Sequence, residues 1–178
     1  KVEATVIREG HDAFGAQAVV VDSSGKEICR SIMYENAPGT NRFETWVNTN
    51  GLGEFTFHIE TYDHPFLTWE HDGEIKIAAK VDSELMCEIG ALLFEETISI
   101  DKSTKNLLNP LVTKLRDTKI DPAIRFSAAN SQEVREYFDK NPLKRLVSKS
   151  DSYPVRSDRE RSLVGAWYEF FPRSEGGN

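Results

Sequence analysis

The chain has 178 residues, of which 39% are hydrophobic and 29% charged, and a formal net charge of -7. That is enough chain to bury a real core as one domain or two small ones. The acidic balance and singly scattered Lys and Arg provide no strip to follow nucleic-acid phosphates. No apolar run approaches the roughly 20 residues that span a bilayer, and the opening "KVEATVIREG" lacks a signal-peptide layout. Cys29 and Cys87 fall in unrelated segments, without the spacing of a disulfide framework or a zinc site. The expectation is free thiols in a reducing cytoplasm, with no metal, no cofactor, no nucleic acid and no membrane.

From residue 2 to about 71 the apolar residues alternate. Val2, Ala4 and Val6 interleave with Glu3 and Thr5, and Phe55, Phe57 and Ile59 with Thr56, His58 and Glu60, the pattern of half-buried strands. Turn signals lie between them, "DSSGK" at 22–26, "NAPGT" at 36–40 and "NTNGLG" at 48–53. The period then becomes helical, with Ile77, Val81, Leu85, Ile89 and Leu92 in one stripe. A second helical piece carries Leu107, Leu108, Leu111, Val112 and Leu115, which Asn109-Pro110 either kinks or restarts. Asp121-Pro122 and Ser131 read as helix starts, and Asn141-Pro142 as a stop. Strand character returns in "SYPVRS" and "SLVGAWYEFF". The fold class expected is mainly β with an α insert: an immunoglobulin-like antiparallel β-sandwich interrupted by a small helical bundle. Residues 1–73 and 142–167 would form the discontinuous sandwich and 74–141 the insert. Residues 162–167 would be its last strand.

Signatures of catalysis are sparse. There is no Gly-rich phosphate loop, no Gly-x-Ser-x-Gly elbow and no His-Glu-x-x-His helix. The cluster Asp63, His64, Glu70, His71 and Asp72 reads as a solvated loop and strand end, with alternation sending Glu70 and His71 to opposite faces. Glu95 and Glu96 are adjacent on a helix and cannot flank a glycosidic bond together. Trp46 and Trp69 are the candidates for a sugar-stacking platform, against the plainer reading that they cover a neighbouring element. No catalytic residue is assigned.

The segments "VIREGHDAFGAQAVV", "TWEHDGEIKIAAKVDSELMCEIGALL" and "YPVRSDRERSLVGAWYEFFPRSEGG" resemble the N-terminal part of bacterial α-1,4-glucan:maltose-1-phosphate maltosyltransferases, of the amylase superfamily, glycoside hydrolase family 13. "YEFFPRS" is similar to the first barrel strand of amylases. The resemblance implies that 168–178 begin a catalytic β/α barrel, with Tyr168, Phe170, Phe171, Pro172 and Arg173 in the handover strand. It implies a parent that transfers maltosyl units to α-glucan with retention, and whose catalytic carboxylates lie on later barrel strands outside this chain. The partners implied are the protein's own C-terminal barrel and a second copy in a homodimer, with α-glucan and maltose-1-phosphate reached only through the parent. The expected function is therefore a non-catalytic accessory and dimerisation region; the alternative is a stand-alone α-glucan-binding module. The rings of Phe170 and Phe171 are expected to be covered by the sandwich, the insert or a second copy.

Overall fold

The "DSSGK" turn shows how local chemistry sets the sheet. The Asp22 carboxylate accepts hydrogen bonds from the backbone N–H of Ser24 (2.8 Å) and Lys26 (3.0 Å), and Gly25 takes a φ of 82° that a side chain would strain. This turn joins β2 (Phe14–Asp22) to β3 (Glu27–Glu35) in antiparallel register. The computed structural model describes residues 1–165, 169 and 171. Its other strands are β1 (Val2–Thr5), β4 (Arg42–Thr45), β5 (Gly53–Asp63), β6 (Arg145–Lys149) and β7 (Tyr153–Ser157). The strand order is β1-β4-β3-β2-β5-β6, and β7 also pairs with β5. The long β5 thus pairs with three strands, with β2 along one edge and β6 and β7 sharing the other.

The sheet curls because β3 meets β4 through only two residue pairs, Tyr34↔Glu44 and Glu35↔Phe43. Beyond them β4 and β1 swing over the inner face of β2 and β5. Val2 and Val6 of the first segment consequently pack with Ala16, Ala18, Met33 and Ile59, and Phe14, Phe43 and Phe57 flank this core. The small alanines leave room for the Phe14 and Phe43 rings, whose centroids are 5.6 Å apart.

Between β5 and β6 come five helices: α1 (Pro65–Ala78), α2 (Ser83–Ile100), α3 (Lys105–Leu115), α4 (Pro122–Ala129) and α5 (Gln132–Lys140). They own a second core of Phe66, Trp69, Met86, Phe94, Phe126, Phe138 and aliphatic neighbours, which shares no residue with the first. Trp69 sits at its centre. Its indole N–H donates to the Met86 carbonyl at 2.8 Å, and the rings of Phe66, Phe94 and Phe126 lie within 6 Å of it. The antiparallel sheet with a helical insert matches the expected mainly-β class with an α insert.

Four local expectations change. Helix begins at Pro65, so Glu70 and His71 are helical and do not alternate across a strand. His64 caps that helix through its ring nitrogen and Pro65 fixes the first helical φ, and together these override the apolar alternation. Helix α3 runs unbroken through Pro110. The stripe on α2 is displaced: Leu85, Ile89 and Leu92 face outward, while Met86, Cys87, Gly90, Ala91, Phe94 and Thr97 face the core. The helix is apolar nearly all round, and the face carrying Gly90 and Ala91 is the one that admits the Trp69 ring. Finally, residues 162–165, the described part of the expected last strand, are not strand. Glu160–Leu163 is a short 3₁₀ helix, with Leu163 and Val164 exposed. Both edges of β5 are already paired, and Pro154 leaves β7 without a full set of donors for another strand. Phe171 is 71% exposed, so neither the sheet nor the insert covers it. Ala166, Trp167, Tyr168, Phe170, Pro172 and Arg173 lie outside the described residues.

Candidate functional site

Alternation along β2 and β5 gives the sheet a polar outer face. Gln17 in "GAQAVVV" and His58 and Glu60 in "FTFHIETY" point away from the sheet core, towards the insert. There a cleft of about 800 Å³ opens, lined from the sheet by Gln17, Arg30 and Tyr34 and from the insert side by Asp101, Tyr137 and Lys144. Gln17 joins the two walls. Its amide nitrogen donates to Glu60 at 2.6 Å, and its amide oxygen accepts from the Lys144 ammonium, also at 2.6 Å. Lys144 lies 5.3 Å from the centre of the Tyr62 ring, a cation–π contact.

The electrostatics of this network are those of a joint. Burial disfavours the Glu60 carboxylate, yet hydrogen bonds from Arg30 (2.5 Å), Gln17 and His58 (3.3 Å) outweigh it and hold its pKa below the ordinary value. Because that carboxylate only accepts, the His58 Nε2 facing it carries a proton, while the buried Nδ1 has no partner. Arg30 is shared with Glu27 at 2.8 Å. Burial, assisted by the positive charge of Arg30, lowers the Lys144 pKa, and burial raises the Tyr62 phenol to about 12. Both oxygens of Glu60 accept hydrogen bonds, Oε1 from His58 and Oε2 from Gln17 and Arg30, so the carboxylate is the hub of the joint.

The carboxylates singled out in the sequence are also engaged. Arg8 reaches Asp12 (3.2 Å) and Asp63 (2.7 Å), Lys76 meets Asp72 (3.4 Å), and Arg135 lies 3.7 Å from Glu70. Arg116 grips both Glu88 (2.8 Å) and Glu95 (2.5 Å), and Arg145 pairs with Glu96. His64 is turned into its own helix terminus and His71 is exposed. Trp69 is 2% exposed and enclosed by aromatic rings, so it has no face to offer a sugar; Trp46 is 76% exposed. The residues of the cleft itself were missed in the sequence. The available signal was Gln17, a polar residue within an apolar run, opposite the alternating His58 and Glu60.

This arrangement of a curled sheet and a self-packed helical insert bears a match to a family model. The model described as "Alpha-1,4-glucan:maltose-1-phosphate maltosyltransferase, domain N/S" covers residues 1–159. The chain belongs to this maltosyltransferase family. It is 41% identical over 178 residues to α-1,4-glucan:maltose-1-phosphate maltosyltransferase 1 of Streptomyces coelicolor, with 99% of the chain and 26% of the relative covered. It is 39% identical over 178 residues to the enzyme of that name from Arcanobacterium haemolyticum, covering 98% and 26%. With the Mycobacterium tuberculosis enzyme the identity is 28% over 202 residues, covering 99% and 29%. The chain thus spans about a quarter of the length of these maltosyltransferases and corresponds to their N-terminal region. Among the described residues no helix is long and apolar enough to cross a membrane.

Proposed function

We propose that the chain is the non-catalytic N-terminal portion of a cytoplasmic enzyme that transfers maltosyl units from maltose-1-phosphate to α-1,4-glucan. Its task is to support the catalytic part and to take part in homodimerisation. The observation that carries this reading is the match to domain N/S over residues 1–159 in a chain a quarter the length of its relatives. The ion-paired state of Asp63, Glu70, Asp72, Glu95 and Glu96 supports it, since glycosyl transfer by this superfamily needs one carboxyl group as acid and another as nucleophile. Those groups would belong to a retaining amylase-superfamily barrel that residues 168–178 begin. The sheet and the insert are proposed as two units, with the first boundary drawn back from residue 73 to the end of β5 at Asp63. The outward-facing Ile75, Leu85, Ile89 and Leu92 support a role for the insert in self-association. The free thiols Cys29 and Cys87 accord with a reducing compartment.

The purified chain, incubated with maltose-1-phosphate and glycogen, should release no phosphate above a buffer blank; release would overturn the non-catalytic reading. A second reading, a free-standing α-glucan-binding module, draws on the exposure of Trp46. It requires a saturable change in tryptophan fluorescence on titration with maltooligosaccharide, whereas the accessory reading predicts none.

A further inference from the structure

The sheet and the helical insert are joined through two single residues. Asp63 ends β5 and Pro65 begins α1, so His64 alone lies between strand and helix. On the return, Leu143 is buried in the core of the insert and Arg145 begins β6, so Lys144 alone spans that gap. Asp63 and Arg145 are ladder partners, which sets His64 and Lys144 side by side at the end of β5. A few residues at the ends of rigid elements, with a separate core on either side of them, are the make-up of a hinge.

Polar contacts between the two bodies crowd around this axis. The His64 N–H donates to the Ala13 carbonyl (3.0 Å), the Ala13 N–H to the Thr68 hydroxyl (2.9 Å) and the Lys144 ammonium to Gln17 (2.6 Å), while Arg145 pairs with Glu96. Atoms near an axis move little when a body turns about it, so these contacts survive a rotation. On β3, which β2 separates from β5, the contact is looser: the Tyr34 hydroxyl stands 3.4 Å from the Asp139 carboxylate, beyond the usual range for two oxygens. Tyr34 also lines the cleft of about 800 Å³, as does Ile100, the last residue of α2. Tyr34 is 51% exposed and Ile100 69%. One large side chain from the sheet and one from the insert are thus left in water within the same cleft, and narrowing it removes both from solvent.

We propose that the helical insert turns as a rigid body about His64 and Lys144, and that the turn closes the cleft until Tyr34 packs against Ile100. The structure holds the open form. The bond from Lys144 to Gln17 and the contact of the same ammonium with the Tyr62 ring keep the two bodies in register at the pivot. The aromatic core around Trp69 lies within the insert and travels with it. Hinge motion of this kind runs on about the microsecond-to-millisecond scale.

The test is nuclear magnetic resonance of the 178-residue chain in a weakly aligning medium, with backbone residual dipolar couplings fitted separately to the sheet and to the insert. Two bodies fixed as in the structure share one alignment tensor. A hinged insert gives a second tensor, rotated from the orientation in the structure in the sense that narrows the cleft. Ile100→Asp, a change at an exposed position that makes the closed form bury a charge, should turn the insert back towards the orientation in the structure. Lys144→Met, which keeps an unbranched stem beside Tyr62 and loses the bond to Gln17, should drive the two tensors further apart. Agreement of the couplings within each body shows that a variant remains folded. A single tensor in the native chain overturns the proposal, as does a rotation that widens the cleft. Couplings in either variant that match the native ones overturn it as well.

Discussion

Gly90 shows how one missing side chain organises the insert. A Cβ placed there would come within 2.6 Å of the Trp69 ring, closer than any stable contact. Gly90→Ala should gain about 1 kcal/mol of helix propensity but force the indole off its hydrogen bond to Met86, and overpacking of this kind costs about 1–3 kcal/mol. The expected result is a lower unfolding temperature; an equal or higher one would show that the indole can move aside freely. His64 carries a second consequence. Burial lowers its pKa below the usual 6.5, with Asp139 acting in the opposite direction, and its Nδ1 must stay unprotonated to accept the Leu67 N–H. The unfolded chain takes up a proton near the ordinary value, whereas the folded chain does so only lower down. The contribution is thus complete above about pH 6.5 and is lost as the pH falls towards the folded pKa. Unfolding temperatures measured from about pH 7.5 to about 5.5 should decline more steeply for the native sequence than for His64→Asn, which keeps an acceptor that does not titrate. Parallel declines would remove His64 from the balance.

At the scale of elements, the first strands were legible because one face is buried and the other is not, and the Asp22 turn because its residue types require it. The long helix α2 was legible as a helix, but not its orientation. Its apolar residues encircle it, so the stripe of Leu85, Ile89 and Leu92 competed with the face containing Gly90, and only the bulk of Trp69 decides between them. The cleft was illegible for a related reason. Gln17, Arg30, Glu60 and Lys144 come from β2, β3, β5 and the segment after α5, and no local spacing links Gln17 to Lys144. The two separate cores lead to a prediction about the insert. Asp63 and Arg145 are paired neighbours, so the ends it bridges lie about 5 Å apart. Replacing residues 65–140 with a short Gly/Ser linker should leave a sheet that still unfolds in one cooperative transition, at a lower temperature because its outer face loses cover. Loss of any cooperative transition would show that the helices complete the sheet core.

For the whole molecule, the described residues form a scaffold: a curled sheet, a helical insert rising from one end of it, and a polar joint between them. Family membership was legible in the sequence because the segments carrying the resemblance span the chain, whereas the pairing of β7 with β5 was not, since nothing local in "SYPVRS" names its partner strand. The central claim is that this scaffold belongs to a maltosyltransferase without itself holding the chemistry. The most direct measurement is phosphate release from maltose-1-phosphate in the presence of glycogen, run side by side on the 178-residue chain and on the intact polypeptide. Release by the intact polypeptide and none by the chain is the predicted result; release by the 178-residue chain, or none by either, would contradict the claim.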